Sequence, residues 1–177
     1  MGLGRTNKRK GSNAERYYRT IFKEIGFTHC ETSRFASKLH DNSKIDLVNI
    51  PFNIQIKAGK QQGLSPGKEL FFLVSSMKAM FPPEDLVFTK PNLLIHYKQG
   101  IPGKKRLPED EMVYMSEKQF NLFKQMCPDL EYTFMKEYKF DLQSEFKSIV
   151  GMTFESFKDK IILKHYTYVD SNTTEGN

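Results

Sequence analysis

Three side chains that could bind a metal ion or a phosphate lie in one short segment of the chain: Asp46, Gln55 and Lys57. The segment alternates apolar and polar residues on both sides of a Pro-Phe-Asn turn, which is typical of a β-hairpin. Carboxylate and amide oxygens suit a hard divalent cation, and a lysine beside them suits a phosphate ester. The segment therefore predicts a metal-assisted phosphate site, although an amphipathic hairpin with a solvated polar face has the same pattern.

The turn also predicts how the two strands pair. A loop of two or four residues around the Pro-Phe dipeptide pairs position 46 with 57 and position 48 with 55. Asp46 is then expected directly opposite Lys57 and diagonal to Gln55, at roughly 5 and 7–8 Å. Ile54 and Ile56 are expected to point away from this polar face, into a core.

A helix is predicted before the hairpin. Its apolar residues recur at helical spacing, at Tyr18, Ile21, Phe22 and Ile25. Ser12 is expected as the N-cap and Gly26 as the C-terminal stop. Glu15, three residues after Ser12, fits the acid of a capping box. Glu15 also borders the apolar stripe, so its carboxylate could instead reach toward the sheet, and mutation can separate the two roles.

In chain order, the residues that define this pattern are Lys10-Gly11, Glu15-Arg16, Gly26-Phe27, Ser33-Arg34, Asp46 and Gln55-Ile56-Lys57. The ordered set resembles the PD-(D/E)XK nuclease superfamily and is most similar to archaeal and phage Holliday-junction resolvases. The resemblance covers about residues 8–60, with agreement in element order to about residue 120. Ile45 stands where a proline precedes the acid in the motif. Gln55 stands where most members carry Glu or Asp, and because it brings no charge, weaker metal binding is expected than from three carboxylates.

The resemblance implies an α/β fold: a mixed central sheet with flanking helices, in the αβββαβ order of a restriction-endonuclease-like core. It implies Mg²⁺, with Mn²⁺ as a substitute, held by Asp46, Gln55, the Ile56 backbone carbonyl and Glu15. The cation would polarise the phosphate and help to deprotonate water. Lys57 would orient that water and stabilise charge on the phosphate. The expected catalytic residues are therefore Glu15, Asp46, Gln55 and Lys57.

The polar loop of residues 28–43 is expected to contact DNA. By the same resemblance, Arg34 with either Ser33 or Ser37 would approach the cleaved backbone, and the spacing leaves the choice between the two serines open. Lys60 could extend this basic surface. An ordinary solvated loop would have a similar composition.

The beginning of the chain is basic. The first ten residues carry four cations and no acid: Arg5, Lys8, Arg9 and Lys10. The whole chain has 27 Lys and Arg against 21 Asp and Glu, a formal net charge of +6. A flexible basic arm that binds DNA phosphates is predicted, with a solubilising tail as the alternative.

Length and composition indicate one domain. The 177 residues suit a single core. The 2 cysteines and 4 histidines show no metal-ligand spacing, so a zinc site or a disulfide framework is not expected. No apolar run approaches the ~20 residues of a membrane span. A cytoplasmic protein of a bacterial or archaeal cell, or one encoded by a phage, is expected, with no membrane partner.

The later part of the chain predicts further elements. They are a helix at 68–80 that ends before two prolines, strands at 86–89, 92–98 and 111–116, and a helix at 153–164. Aromatic residues are frequent after residue 128 and favour an extra layer on the sheet, with a dimer interface as the alternative. The predicted organisation is a basic flexible arm (1–10), a nuclease core (11–127), a helical and aromatic C-terminal extension on the same domain (128–170) and a disordered tail (171–177).

These observations together predict a metal-dependent, structure-selective DNA endonuclease. A Holliday-junction resolvase acting as a two-fold homodimer on branched or four-way DNA is the first hypothesis. A nickase, a restriction-type endonuclease or a transposon-end nuclease is possible on the same core, and Gln55 favours the last of these somewhat. The alternative from a different class is a nucleic-acid-binding module without a working metal site.

Overall fold

A computed structural model describes residues 3–59, 64–98, 106–138 and 145–166, and of residues 3–9 the backbone only. The predictions for Lys60 and for the tail lie outside these residues. So do the side chains of the predicted arm up to residue 9.

The centre of the fold is a mixed β-sheet. Its strands are β1 (Glu31–Thr32), β2 (Leu47–Val48), β3 (Asn53–Ala58), β4 (Asn92–Tyr97), β5 (Glu111–Ser116), β6 (Phe134–Glu137) and β7 (Ser148–Thr153). They form one 7-stranded sheet in the order β1-β2-β3-β4-β5-β7-β6. β3 and β4 are parallel, and the other neighbours are antiparallel.

Helices cover both faces of the sheet. They are α1 (Leu3–Glu24), α2 (Ser33–Ala36), α3 (Lys38–Asn42), α4 (Pro66–Met80), α5 (Glu117–Met126) and α6 (Phe154–Phe157), which continues as a π-helix over Lys158–Tyr166. The α/β class with a mixed central sheet and flanking helices is therefore confirmed. None of the helices in the described ranges is long and apolar enough to cross a membrane.

The alternation of β3 decides which side chains meet which helix. Ile54 and Ile56 belong to the buried cluster that contains Tyr18 and Phe22 of α1, as the sequence predicted. Gln55, between them, pairs with Leu94 of β4. Leu94 belongs to a second buried cluster with residues of α4, so Gln55 lies on the α4 face of the sheet.

Helix α1 ends as predicted and begins earlier than predicted. Gly26 has a positive φ of 114°. Its N–H donates to the Lys23 carbonyl at 3.2 Å, and the Phe27 N–H donates to the Phe22 carbonyl at 3.0 Å, which together form a Schellman motif. The helix starts at Leu3 rather than at Ser12. Ser12 is therefore not an N-cap, and the predicted capping box of Ser12 with Glu15 is wrong.

Two other predictions change in the later part of the chain. Residues Leu86–Thr89 form a 3-10 helix instead of a strand. After residue 128 the chain adds β6 and β7 to the sheet itself, beside β5, so this part is not only an extra layer on it. Phe154, Phe157 and Ile161, in the segment 153–164 that was predicted to be a helix, lie in the α1-side core. Thr153 caps the helix, because its Oγ1 accepts from the Ser156 N–H at 3.2 Å.

Candidate active site

The hairpin that carries Asp46, Gln55 and Lys57 forms with a different register from the predicted one. Leu47 pairs with Ile54, whereas the predicted register pairs position 47 with 56. The Asp46 N–H also donates to the Ile54 carbonyl at 2.7 Å, so two residues of one strand face one of the other, as in a β-bulge. The prediction that Asp46 lies directly opposite Lys57 is therefore wrong. Gln55 and Lys57 nevertheless keep the face predicted for them, because they alternate along β3 with Ile54 and Ile56, which lie in the α1-side core.

Asp46 lies at the edge of β3, immediately before the first residue of β2. Its Oδ2 accepts a hydrogen bond from the Ile56 backbone N–H at 2.6 Å. The chain reaches this position through Lys44, which has a positive φ of 66° after α3. The Asp46 side chain thus accepts a β3 backbone hydrogen bond that the backbone carbonyl of a neighbouring strand would otherwise accept.

The charge state of Asp46 depends on its surroundings. Burial raises the pKa of this carboxyl group from 3.8 to about 7; the Ile56 N–H opposes that rise, and the negative charge of Glu15 adds to it. The cations Arg34 and Lys57 lower the pKa. Two acids and two cations therefore act on one another at this edge of the sheet.

Gln55 brings a buried oxygen to the same region. The residue is 4% exposed. Within the described part of the chain, its Oε1 has no hydrogen-bond partner. A buried amide oxygen without a partner is unfavourable by about 1–3 kcal/mol, so a ligand that accepts its lone pair would stabilise the site.

Lys57 follows Gln55 by two residues on the same face of β3. Its Nζ lies 3.1 Å from Glu69 Oε2 on α4. The half-exposed ammonium group is therefore held at the mouth of the site by a helix on the α4 face. The sequence did not single out Glu69, because an acid in the first turn of a helix is common for reasons unrelated to a site.

Glu15 approaches from α1, on the other face of the sheet. The residue is 4% exposed, and burial raises the pKa of its carboxyl group, while Arg34 opposes that rise. Arg34 Nη2 lies 3.0 Å from Glu15 Oε1. Arg34 Nη1 also donates to Ser12 Oγ at 2.9 Å, and its Nε lies 3.6 Å from Asp41 Oδ1. Arg34 thus ties α1 to the short helices α2 and α3.

The two candidate serines have different surroundings. The Ser33 N–H donates to the Asp46 carbonyl at 3.0 Å, and within the described residues the buried Ser33 Oγ has no partner. Ser37 instead caps α3, with its Oγ 2.8 Å from His40 Nδ1. Of the two, Ser33 is the one adjoining Asp46. Lys10 is partly exposed on α1.

The oxygen donors fit a hard divalent cation by their chemistry. The donors are the carboxylates of Asp46 and Glu15 and the unpartnered Oε1 of Gln55. In the described ranges, no group of three or more His, Cys, Asp or Glu side chains could hold a metal ion. A site at this place would therefore depend on the amide as its third side-chain ligand.

No family model, no curated protein and no solved structure matches this chain.

Proposed function

We propose that this chain is a Mg²⁺-dependent, structure-selective DNA endonuclease, with a Holliday junction as the first candidate substrate. The observation that carries the proposal is the electrostatic interaction of Asp46, just before β2, with Glu15 and with Lys57 of β3. Gln55, whose Oε1 has no partner within the described residues, lies on β3 two residues before Lys57. Oxygen ligands and a lysine at one sheet edge are the groups that phosphodiester hydrolysis requires.

Each residue has a defined part in the proposed site. Asp46, Gln55 Oε1 and the Ile56 backbone carbonyl would hold Mg²⁺, with Glu15 completing the site directly or through water. A bound Mg²⁺ supplies a Lewis acid for the scissile phosphate and lowers the pKa of water. The Ile56 N–H fixes the orientation of the Asp46 carboxylate through its hydrogen bond of 2.6 Å.

The cations of the site would act on the phosphate. Lys57, held by Glu69 at 3.1 Å, would orient the attacking water and stabilise charge that develops on the phosphate oxygens. Arg34, 3.0 Å from Glu15, would move from this acid to a backbone phosphate of the DNA. Ser33 would provide a hydroxyl beside it. Two copies of the chain related by a two-fold axis would present two such sites to the two equivalent strands of a four-way junction.

Cleavage of labelled DNA tests the proposal. A four-way junction and a linear duplex of the same arm sequence are incubated with the protein in Mg²⁺, in Mn²⁺ and in EDTA. We expect metal-dependent cuts, more in the junction than in the duplex. Asp46→Asn should abolish them, and Asp159→Asn, which removes an acid from the exposed side of the π-helix, should not.

A second candidate function is a nucleic-acid-binding module without catalysis. It is favoured by the pairing of Glu15 with Arg34 and of Lys57 with Glu69, which balances the charges of the site when no metal is bound. Binding of junction DNA without cleavage in either metal would support this alternative.

A further inference from the structure

One aromatic side chain beside the candidate site is almost fully exposed. Phe35, in the four-residue helix α2, is 84% exposed. Burying a phenylalanine contributes about 1.5–3 kcal/mol relative to exposure, so this ring forgoes a contribution that other Phe residues of the chain make. Leu39, on α3, is also exposed. The ring is therefore available for a partner.

The chain around Phe35 is charged and not broadly apolar. Arg34, which precedes it, is exposed and forms ion pairs with Glu15 and Asp41, and the exposed Lys38 follows on α3. A stable interface with a second copy of the chain buries about 800 Å² on each partner, mostly around an apolar centre. One ring and one leucine among charged side chains do not provide such a centre. A π-face beside positive charges suits a nucleobase on a phosphate backbone.

The two residues that precede Phe35 in the chain both contact residues of the candidate site. Ser33, two residues earlier, donates its N–H to the Asp46 carbonyl at 3.0 Å. Arg34, one residue earlier, lies 3.0 Å from Glu15. Phe35 thus follows directly in the chain after two residues that contact Asp46 and Glu15.

We propose that Phe35 stacks on a nucleobase beside the phosphate held at the candidate site, and so selects DNA in which that base has an open face. In continuous duplex both faces of each base are covered by its neighbours, whereas at a branch point or in a single strand one face is free. The inference rests on the proposed function, since it assumes DNA at this site, and it assigns the preference for branched DNA to one side chain.

Binding measured without divalent metal tests the proposal separately from cleavage. Fluorescence anisotropy in EDTA gives the affinity of each variant for a four-way junction and for a linear duplex. We expect Phe35→Ala to weaken junction binding by about tenfold or more and to leave duplex binding within about twofold. Phe35→Trp, which keeps an aromatic face, should bind the junction as the wild type does. The control is Leu86→Ala, which removes another exposed apolar side chain (74% exposed) and should change neither affinity.

A second measurement locates the contact. Junctions with 5-iododeoxyuridine at single positions near the branch are irradiated, and crosslinking to the peptide that contains Phe35 is expected at one or two positions. Crosslinks only to other peptides would overturn the proposal, and so would equal losses of junction and duplex binding in Phe35→Ala. A dimer that becomes a monomer in Phe35→Ala on sedimentation would show that a second copy covers the ring, which also overturns it.

The outcomes distinguish the two proposals. Wild-type protein that binds the junction through Phe35 but does not cut it in Mg²⁺ supports the stacking role and overturns the endonuclease. Wild-type protein that cuts the junction while Phe35→Ala binds and cuts equally well overturns only the stacking role. Wild-type protein that binds neither DNA overturns both.

Discussion

Asp46 Oδ2 accepts a hydrogen bond from the backbone N–H of Ile56 at 2.6 Å. At the edge of β3, a side chain therefore makes the hydrogen bond that a neighbouring strand would normally make. The contact places the carboxylate in the plane of the sheet, between the helices of its two faces. Glu15 reaches this edge from α1, and Lys57 reaches it from the α4 face. The open edge of a short strand is thus what allows groups from both faces to meet.

Asp46→Asn tests the role of this carboxylate. The amide oxygen of Asn can still accept the Ile56 N–H, but the negative charge is lost. We expect cleavage to fall by orders of magnitude while DNA binding survives. The free energy of unfolding of the metal-free protein at pH 8 should rise by about 1 kcal/mol or more, because burial of the charge raises the pKa of Asp46 to about 7.

Cleavage assays and denaturant unfolding in EDTA measure the two effects of Asp46→Asn. The control is Asp159→Asn, which removes an exposed acid paired with Lys158 at 3.3 Å and should change neither quantity. An Asp46→Asn protein that cuts DNA at the wild-type rate would remove this site from consideration.

The raised pKa of Asp46 also predicts a pH dependence. Between pH 3.8 and about 7 the folded, metal-free protein binds this proton and the unfolded chain does not. The contribution of Asp46 to the free energy of unfolding therefore decreases as the pH rises through this range. A cation binds the deprotonated form, so the apparent Mg²⁺ affinity should increase up to about pH 7 and then level off.

Calorimetry in buffers of different ionisation enthalpy measures the protons released when Mg²⁺ binds. We expect release of about one proton at pH 6 and almost none at pH 8.5. Almost no proton release at pH 6 would show that the carboxylate is already charged in the metal-free protein at that pH.

Local patterns made part of this site predictable from the sequence. The alternation of Asn53–Ala58 gives the faces of Ile54, Gln55 and Lys57, because neighbouring side chains on a strand always point in opposite directions. Gly26 marks the end of α1, because a Schellman motif favours glycine at its positive-φ position.

Other parts of the site depend on contacts that no local pattern contains. The register of β2 against β3 is set where the Asp46 side chain binds the Ile56 N–H, which a pattern of apolar and polar residues does not encode. The pairs of Arg34 with Glu15 and of Lys57 with Glu69 join separate elements of the fold. The start of α1 at Leu3 has no clear signal in the sequence, because its first turns contain Gly and several cations and are followed by Ser12, a residue type that often begins a helix.

Gln55→Glu tests whether the amide is a ligand. A third carboxylate beside Glu15 and Asp46 should strengthen Mg²⁺ binding about tenfold, since affinity rises with ligand charge. Without metal the added buried charge should reduce the free energy of unfolding by about 2 kcal/mol, and Mg²⁺ should restore it. Gln125→Glu makes the same change at an exposed position of α5 and serves as the control. If calorimetry gives unchanged Mg²⁺ affinity for Gln55→Glu, Gln55 does not touch the cation.

Glu15→Gln tests whether the Glu15 carboxylate is a metal ligand. Glu15 lies inside α1, so the substitution does not affect a helix cap. Gln keeps an oxygen that accepts from Arg34, so the free energy of unfolding should stay within about 1 kcal/mol of the wild type. The loss of a charged ligand should reduce cleavage by about a hundredfold or more. A variant that unfolds early but cuts DNA normally would assign Glu15 to the fold alone.

Arg34→Met tests the ion pair from its other side. It leaves the buried Glu15 carboxylate without its cation, and burial already raises the pKa of that group. The folded protein should therefore lose more stability at a pH above the raised pKa of Glu15, where this carboxyl group is charged, than at a pH below it. In the double variant with Glu15→Gln, this pH-dependent loss should disappear. If it persists, Arg34 stabilises the fold through Asp41 or Ser12 rather than through Glu15.

The basic residues at the start of α1 are predicted to bind DNA phosphates. The chain is helical from Leu3, so replacing the four cations by Gln, a good helix former, tests their charge without removing helical turns. The four positions are Arg5, Lys8, Arg9 and Lys10. In the plot of log affinity for duplex DNA against log salt concentration, the slope should flatten by about 0.9 for each lost contact.

Single-turnover cleavage by this quadruple variant at saturating protein should fall much less than its affinity, because phosphate contacts position the DNA and do not break bonds. A matched control replaces four exposed or partly exposed lysines elsewhere by Gln and makes the same change in net charge: Lys118, Lys124, Lys147 and Lys164. Equal slopes for the wild type and the α1 variant would mean that these four cations only add solubility. The phosphate contacts would then be sought around Arg34, where a half-exposed guanidinium group already lies beside the candidate site.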